Sequence, residues 1–252
     1  MQILAIANQK GGVGKSTLAV HLAWLALEQG RPVLVVDLDG QANSSRTFSE
    51  ESIGLTASKL FTAEPGTLTE TPQPISEKLS LIAADVAIND VEGLDLETIE
   101  RPAAHLRALS LPDDTLVIID TPPTLGRRLL AALIAADAVV SPLALNGYSI
   151  QGITDLQKSI QMVVRRFNPR LKNLGLLANM VNSRSATHAE MLAELHQALG
   201  DKLLPVTLGH RVAISDAIDR GQPVWHKTRG ESAQRAAREM RAVCSTVLEK
   251  LS

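Results

Sequence analysis

The residues best suited to chemistry lie at positions 8 to 17, which read Asn-Gln-Lys-Gly-Gly-Val-Gly-Lys-Ser-Thr. An apolar run precedes them and an amphipathic stretch follows, so we expect a strand, a loop and a helix in that order. Closely spaced glycines let successive backbone N–H groups face one anion, and the N-terminus of the following helix adds its positive end. The pattern predicts a phosphate-binding loop, in which Lys15 reaches the β- and γ-phosphates of a nucleotide and Ser16 ligates Mg²⁺. The alternative, a glycine-rich turn with surface lysines, does not account for this order of features.

Carboxylates end two other apolar runs. Asp37 and Asp39 follow one run, and Asp120 follows another. The carboxyl ends of parallel strands form the edge at which α/β proteins bind ligands. We therefore expect Asp120 to hold Mg²⁺ through a water, and residues 121–126 to form a switch that senses the γ-phosphate. Solvated aspartates in a turn are the alternative for Asp37 and Asp39.

The loop departs from the common phosphate-loop pattern, because Gln9 stands where glycine is usual and a second lysine, Lys10, follows it. Lys-Gly-Gly-x-x-Lys-Ser is the deviant Walker A motif, and the chain resembles the ParA family of DNA-partition ATPases, whose relatives include MinD and the nitrogenase iron protein. The resemblance implies that Lys10 contacts phosphates bound by the opposite subunit of a dimer. It also implies that Asp39 orients the attacking water and that Asp37 supports the Mg²⁺ shell. The residues expected in catalysis are Lys10, Lys15 and Asp39, and those expected at the metal are Ser16, Asp37 and Asp120.

Contacts to the base depend on the resemblance alone. Asn179 follows an apolar run and is expected at the adenine edge, where an amide can both donate and accept; a turn-capping asparagine is the alternative. Pro223 lies in a stretch similar to the family's C-terminal region, although many members have proline where this chain has Gly209. The nucleotide contacts expected in total are Lys10, Gly11, Gly12, Val13, Gly14, Lys15, Ser16, Thr17, Asn179 and Pro223.

Short apolar runs alternate with amphipathic stretches along the chain, which predicts a mostly parallel, twisted α/β sheet covered by helices on both faces. With the deviant Walker A motif, this is the expected fold of a P-loop NTPase of the SIMIBI type. The length of 252 residues fits a single domain, residues 1–252. The stretch from 44 to 76 is predicted as short helices and loops over one edge of the sheet. The predicted strands are 3–7, 33–36, 79–83, 116–119, 138–143, 174–178 and 203–206, and the predicted helices are 16–29, 127–136, 150–167, 188–199 and 232–251.

Cysteine usage and hydropathy favour a cytoplasmic protein. The single cysteine, Cys244, cannot form an intramolecular disulfide, and two copies of it in a dimer would not supply a four-cysteine iron–sulfur cluster. A basic leader is absent before the phosphate loop, and no apolar run reaches the roughly 18 residues of a membrane span. We expect a cytoplasmic location, with association to the nucleoid when ATP is bound.

Positive charge is concentrated in the last part of the chain, although the net charge is only −2. Residues 211 to 252 hold eight basic residues against five acidic ones. Such a surface can bind the DNA backbone without reading sequence, and an ordinary solvated helix face is the alternative. The residues expected at DNA are Arg211, Lys227, Arg229, Arg235, Arg238 and Arg241.

The resemblance implies a Mg²⁺-dependent ATPase cycle. ATP would close a sandwich homodimer, the dimer would bind nonspecific DNA, and a ParB-like centromere-binding partner would accelerate a slow basal hydrolysis to segregate plasmid or chromosomal DNA. The phosphate loop begins directly after the first strand, which indicates the short form without an N-terminal helix-turn-helix. Two alternatives share the loop: a MinD-like membrane-associated positioning ATPase, and a metabolic ATP-dependent ligase. The last helix has mixed charge and is expected to dock on its own sheet, which makes contact with a membrane less favoured.

Overall fold

The core of the protein is one eight-stranded sheet, seen in a computed structural model that describes residues 1–145 and 150–252. The strand order is β3-β4-β2-β5-β1-β6-β7-β8, and every neighbouring pair is parallel except β3 with β4. The predicted α/β fold with a mostly parallel sheet is confirmed. The strands are β1 (Gln2–Ile6), β2 (Val33–Asp37), β3 (Gln73–Ser76), β4 (Leu79–Ile82), β5 (Leu116–Asp120), β6 (Ala138–Ala144), β7 (Lys172–Val181) and β8 (Leu203–Gly209).

Helices cover both faces of the sheet. Side chains alternate across β1, so that Leu4 and Ile6 lie in one buried cluster, with helices α1, α8 and α9, while Ile3 and Ala5 lie in the other, with α4, α5 and α6. Within the described ranges the α-helices are α1 (Lys15–Glu28), α2 (Asn43–Phe48), α3 (Lys59–Thr62), α4 (Arg101–Ala108), α5 (Arg127–Ala135), α6 (Ile150–Arg166), α7 (Ala186–Leu199), α8 (Val212–Asp219) and α9 (Glu231–Leu251). Three 3-10 segments accompany them: Val86–Gly93, Leu96–Glu100 and Gly200–Lys202.

The stretch from 44 to 76 differs from the prediction at its end. It contains short helices and loops as expected, but β3 adds an antiparallel edge strand to the sheet at residues 73–76. Pro74 lacks an N–H for the ladder, which suits an edge strand and hides it from a search for regular apolar runs. The short helix α8 and the 3-10 segments were also not predicted, because each is too brief to show a helical period.

The last helix, α9, docks on its own sheet as the sequence predicted. Its apolar face is buried, with Met240, Val243 and Val247 fully enclosed beside α1 and β8. Cys244 lies on the same face, and burial raises the pKa of its thiol far above the usual range. None of the helices in the described ranges has both the length and the apolar character needed to cross a membrane.

Three neighbouring strands end at one place. The carboxyl ends of β1, β2 and β5 lead into the phosphate loop, Asp37 and Asp120, and the pairing register sets Asp37 opposite Asp120 and Ile6 opposite Asp120. The topology thus gathers, at the carboxyl edge of the sheet, side chains that are far apart in sequence.

Candidate functional site: a nucleotide pocket at the carboxyl edge of the sheet

The loop before α1 has the backbone that its glycines permit. Gly12 and Gly14 adopt φ values of 70° and 87°, in the left-handed region that other residues rarely enter. The Lys15 ammonium donates a hydrogen bond to the carbonyl of Lys10 at 3.2 Å, so its side chain curls back over the loop. Burial lowers the pKa of Lys15, and the nearby charges of Asp120 and Asp39 oppose that shift. An anion bound in the loop would therefore stabilise the charged lysine.

The two lysines of the motif occupy different environments. Lys15 is buried, whereas Lys10 is exposed on the outer side of the loop and does not line the cavity described below. The backbone N–H of Lys10 donates to the Asn8 side chain at 2.9 Å, which fixes the start of the loop. Lys10 is thus placed at the protein surface, where a second molecule could reach it.

Asp37 is enclosed by donors from its own chain. One carboxylate oxygen accepts from the backbone N–H of Asp39 at 3.1 Å, and the other accepts from both the N–H and the hydroxyl of Ser45 at 2.8 Å. Burial, together with the charge of Asp120, raises the pKa of Asp37 to about 7. Asp37 therefore holds the turn that carries Asp39, and a role at the metal would be indirect.

Among the described residues, only one of the two Asp120 carboxylate oxygens has a hydrogen-bond partner. Its Oδ2 accepts from the Ser44 hydroxyl at 2.7 Å, while its buried Oδ1 has no hydrogen-bond donor in the described part of the chain. Burial raises its pKa to about 6, and the neighbouring Ser16 and Ser44 hydroxyls and the Lys15 ammonium hold it lower than burial alone would. A buried carboxylate oxygen of this kind is costly unless a cation or proton satisfies it.

The oxygens of Asp120 and Ser16 fit a magnesium ion. Mg²⁺ prefers hard oxygen ligands and is usually held by one or two protein oxygens together with phosphate and water. The Asp120 Oδ1, which no described donor satisfies, and the Ser16 hydroxyl, which lies against the same carboxyl group, form such a donor set. No group of three or more His, Cys, Asp or Glu side chains within the described ranges is placed to hold a metal ion. The ion would therefore take its remaining ligands from nucleotide and solvent.

A cavity of about 590 Å³ opens over the loop and Asp39, whereas Asp37 and Asp120 are not part of its lining. Asp39 lies on its wall, 9% exposed, and accepts a hydrogen bond from the backbone N–H of Gln41 at 3.0 Å. Of the residues predicted from sequence, the cavity is lined by Gly11, Gly12, Gly14, Lys15, Ser16, Thr17 and Asp39. Pro123, from the segment predicted as a switch, also lines it. The sequence did not identify the other lining residues, which include Asn43, Arg46, Thr47, Met180, Ile218 and Asp219.

Arg46 adds a positive side chain to this wall. It is exposed on α2, and it forms no ion pair or hydrogen bond through its guanidinium within the described ranges. The sequence indicates only that Arg46 follows the turn that carries Asp39. Its place on the cavity wall depends on the packing of α2 against the loop, which the sequence alone does not show. Ile218 and Asp219 come from the end of α8, which is even more distant in sequence.

The amide of Asn179 faces the phosphate loop. Its nitrogen donates to the Val13 carbonyl at 2.7 Å, its oxygen accepts from the Met180 N–H at 2.7 Å, and a Cβ on Gly14 would lie only 2.4 Å from the amide nitrogen. Asn179 thus supports the loop from behind, and its contact with adenine stays a prediction. Pro223 lies outside the cavity lining, where its carbonyl accepts from the His226 N–H at 2.8 Å.

Three of the six basic residues predicted at DNA are held in ion pairs within the protein. Arg211 and Arg235 both bind Glu239, at 2.8 Å and 2.9 Å. Arg241 binds Glu28 at 2.8 Å and lies 4.5 Å above the Trp225 ring. The other three are exposed and form no ion pair with any described residue: Lys227, Arg229 and Arg238.

Fold and loop together define a P-loop nucleoside triphosphatase. A family model described as an AAA domain matches residues 1–173. The chain is 42% identical to "Protein IncC" of Escherichia coli, over 100% of this chain and 70% of that protein, and 32% identical to the "Chromosome-partitioning ATPase Soj" of Thermus thermophilus, over 88% and 86%. The chain belongs to the ParA family of partition ATPases.

A solved structure shares the architecture. The cobyrinic acid a,c-diamide synthase of Mycobacterium smegmatis, with a bound ATP analogue and magnesium, superposes with a TM-score of 0.75 at 27% identity, covering 99% of this chain and 95% of that chain. The fold therefore also occurs outside partition, and the biological role must be argued from particular residues.

Proposed function

We propose that this protein hydrolyses Mg²⁺-ATP, closes into a sandwich homodimer when ATP is bound, and in that state binds DNA without sequence preference. One observation carries the catalytic part of this proposal. Lys15 and Asp39 line one cavity at the edge where a phosphate loop opens a helix, and both the Asp39 and the buried Asp120 carboxylates lie close enough to Lys15 to interact with its charge. That combination suits the phosphates and the cation of a nucleotide triphosphate.

Each residue has a distinct role in this proposal. Lys15 and the loop N–H groups bind the phosphates, and Asp39 orients the attacking water. Ser16 and Asp120 hold Mg²⁺, and Asp37 keeps the Asp39 turn in place through the hydrogen bonds described above. When bound, Mg²⁺ neutralises charge that develops on the phosphate oxygens. Lys10, exposed beside the loop, reaches the nucleotide of the second subunit.

The proposed role in the cell is DNA segregation. Its support is the similarity to proteins named for chromosome partitioning, together with exposed basic side chains near α9. A ParB-like centromere-binding partner would stimulate a slow basal turnover, because an arginine supplied by a partner can add roughly 10³-fold to 10⁵-fold to such a rate. We further propose that residues 1–252 act as one domain, in the cytoplasm and on the nucleoid.

One other function has a specific observation in its favour. The diamide synthase superposes over nearly the whole chain, so an ATP-dependent ligase acting on a small molecule is the second candidate. The MinD-like alternative has less support, because the apolar face of α9 is packed into the core and would have to leave it to contact a membrane.

The test combines nucleotide, DNA and two variants. We expect the purified protein to bind a nonspecific duplex with ATP, but weakly with ADP or without nucleotide, and to release it as salt rises. Asp39→Ala should retain ATP and accumulate as a DNA-bound dimer, whereas Lys15→Ala should lose nucleotide binding, dimerisation and DNA binding together. Size-exclusion chromatography with light scattering, and fluorescence anisotropy of labelled DNA, measure these outcomes.

Two results would overturn parts of the proposal. A monomeric Asp39→Ala protein with bound ATP would contradict the sandwich dimer. Absence of DNA binding in every nucleotide state, with ATP hydrolysis intact, would move the assignment to the ligase, which turnover with acid-bearing metabolites and ammonia or glutamine would then examine.

A further inference from the structure

The 3-10 segment Val86–Gly93 touches both loops that flank the reaction site. A Cβ on Gly40, directly after Asp39, would lie 2.3 Å from the Asn89 amide oxygen. A Cβ on Gly126, at the end of the loop that follows Asp120, would lie 2.2 Å from the Glu92 carboxylate. Neither glycine has a positive φ, so close packing, and not backbone strain, is what these two positions require.

Glu92 controls the start of α5. One of its oxygens accepts from the backbone N–H of Arg127 at 2.6 Å, and the other accepts from Arg128 Nε at 2.9 Å. The first turn of α5 has no acidic residue and begins with two arginines, an unfavourable arrangement beside the positive end of a helix. Glu92 supplies the missing negative charge and caps the helix from another segment.

Arg128 extends this contact to the Asp39 turn. Its side chain is only 8% exposed, and its Nη1 donates to the Leu38 carbonyl at 3.2 Å and to the Asn89 oxygen at 3.3 Å. The Leu38 carbonyl and the Asp39 N–H belong to the same peptide group, and that N–H is held by Asp37 at 3.1 Å. The peptide group between Leu38 and Asp39 is therefore held by a hydrogen bond at its carbonyl and by another at its N–H.

We propose that Arg128, itself held by Glu92 and Asn89, is a positioning residue that orients the Asp39 carboxylate for hydrolysis and ties the Asp39 turn to the start of α5. Arg128 does not line the nucleotide cavity, so it acts through the backbone of Leu38 and not by touching phosphate. The functional part rests on the proposed role of Asp39. The structural part, restraint of the peptide before Asp39, can be tested without it.

The first experiment separates binding from hydrolysis. Arg128→Gln should lower the single-turnover rate of ATP hydrolysis roughly 10-fold to 100-fold, because small displacements of a catalytic group have effects of that size. Its affinity for ATP should stay within about threefold of wild type, because the phosphate loop is untouched. Arg128→Lys, which retains charge but cannot reach Glu92 and Leu38 together, should give an intermediate rate. Arg107→Gln is the matched control, since Arg107 pairs with Asp137 at the amino end of β6, away from the site.

Gly126→Ala offers a second route that leaves Arg128 in place. The added methyl would collide with the Glu92 carboxylate, a flexible side chain that can move, so the protein should fold while Arg128 loses its main partner. We expect slower hydrolysis with retained ATP affinity. Wild-type hydrolysis rates in folded Arg128→Gln and Gly126→Ala proteins would overturn the functional part of the inference.

Hydrogen exchange distinguishes failure of this inference from failure of the proposed function. Amides of residues 39–42 should exchange faster in Arg128→Gln than in wild type or Arg107→Gln. If Asp39→Ala hydrolyses ATP normally, the proposed role of Asp39 falls, and faster exchange would still support restraint by Arg128. Unchanged exchange in both the Arg128 and Gly126 variants would overturn that restraint.

Discussion

Charged side chains are paired differently in two regions: the nucleotide edge, which holds Lys15 and Asp120, and the arginine face around α9, which holds Arg211, Arg235 and Arg241. At the nucleotide edge, charges are buried and, within the described residues, incompletely paired: no donor there reaches Asp120 Oδ1, and Lys15 donates to a loop carbonyl. Around α9, Arg211, Arg235 and Arg241 are bound to carboxylates of the same chain. Charged groups at the nucleotide edge can therefore still bind a ligand, whereas many arginines around α9 are already paired with carboxylates of the same protein.

This contrast limits what a count of charges indicates about DNA binding. Eight basic residues between positions 211 and 252 suggest a broad DNA surface, but an arginine paired with a carboxylate contributes less to phosphate binding, because the pair must first be separated. The structure leaves Lys227, Arg229 and Arg238 as the exposed cations of the predicted set without an ion-pair partner among the described residues. They should carry more of the DNA affinity than the paired arginines.

Two triple variants test whether the unpaired cations contribute more to DNA affinity than the paired arginines. The loss of DNA affinity is the largest effect that we predict. Changing Lys227, Arg229 and Arg238 to glutamine should weaken ATP-dependent DNA binding roughly 100-fold at low salt and reduce the slope of log affinity against log salt by up to about 3. Changing Arg211, Arg235 and Arg241 should cost less DNA affinity and more stability. Anisotropy titrations at several salt concentrations, with urea unfolding, measure both. Equal losses of DNA affinity in the two variants would remove the distinction between paired and unpaired arginines.

The two regions meet at His21, a buried imidazole in α1. Its Nδ1 lies 2.7 Å from the Thr17 carbonyl and must therefore donate, while its Nε2 accepts from the Val224 N–H at 3.2 Å. Trp24 and Trp225 pack edge-on against the ring. Burial lowers the pKa of His21 to about 4, with the Thr17 carbonyl opposing the shift. The helix that begins at the phosphate loop is thus joined to the segment that precedes α9.

The sign of the resulting pH dependence follows from proton uptake. Between pH 4 and 6.5 the unfolded chain binds a proton at His21 that the folded protein does not, so stability should fall as pH drops through that window. The loss should be on the order of 3 kcal/mol, and His21→Phe should remove this part of the dependence. Urea unfolding at four pH values measures it, with His196→Gln, an exposed histidine on α7, as control. An unchanged pH profile in His21→Phe would show that the imidazole does not carry this linkage.

Sequence reasoning succeeded at the nucleotide edge for a physical reason. A phosphate loop needs glycines, lysine and a hydroxyl in a fixed order, so the order of residues along the chain was enough to predict that Gly12, Gly14 and Lys15 belong to one site, and all three line the same cavity. The main strands were also predicted, because buried parallel strands are short apolar runs. The features that the sequence did not predict depend on contacts between distant segments. Arg46, and the link from Glu92 to Arg128, have no motif and depend on which loops the fold brings together.

The same limit explains the arginine face. Spacing along α9 indicated that Arg235, Arg238 and Arg241 could share a face, but it could not show that Glu28, from α1, would bind Arg241. The spacing of residues along one helix does not show which side chains another helix brings against it. The paired and unpaired arginines were therefore indistinguishable by sequence.

The smallest predicted effect concerns the contact between Arg241, Glu28 and Trp225. The ion pair is about half exposed, at 45% and 42%, so solvent weakens it, but the Trp225 ring lies under the guanidinium and its Nε1 donates to Glu28 at 2.5 Å. A double-mutant cycle on Arg241→Gln and Glu28→Gln should therefore give a coupling of about 0.5 to 1 kcal/mol.

The Lys59–Glu70 pair provides the matched control, since it has similar exposure, at 44% and 36%. Its cycle should give a smaller coupling, because an exposed ion pair alone contributes little. Equal couplings would mean that the ring adds nothing and that Arg241 is held no more firmly than an ordinary surface cation. Arg241 would then rejoin Lys227, Arg229 and Arg238 as a side chain available to DNA.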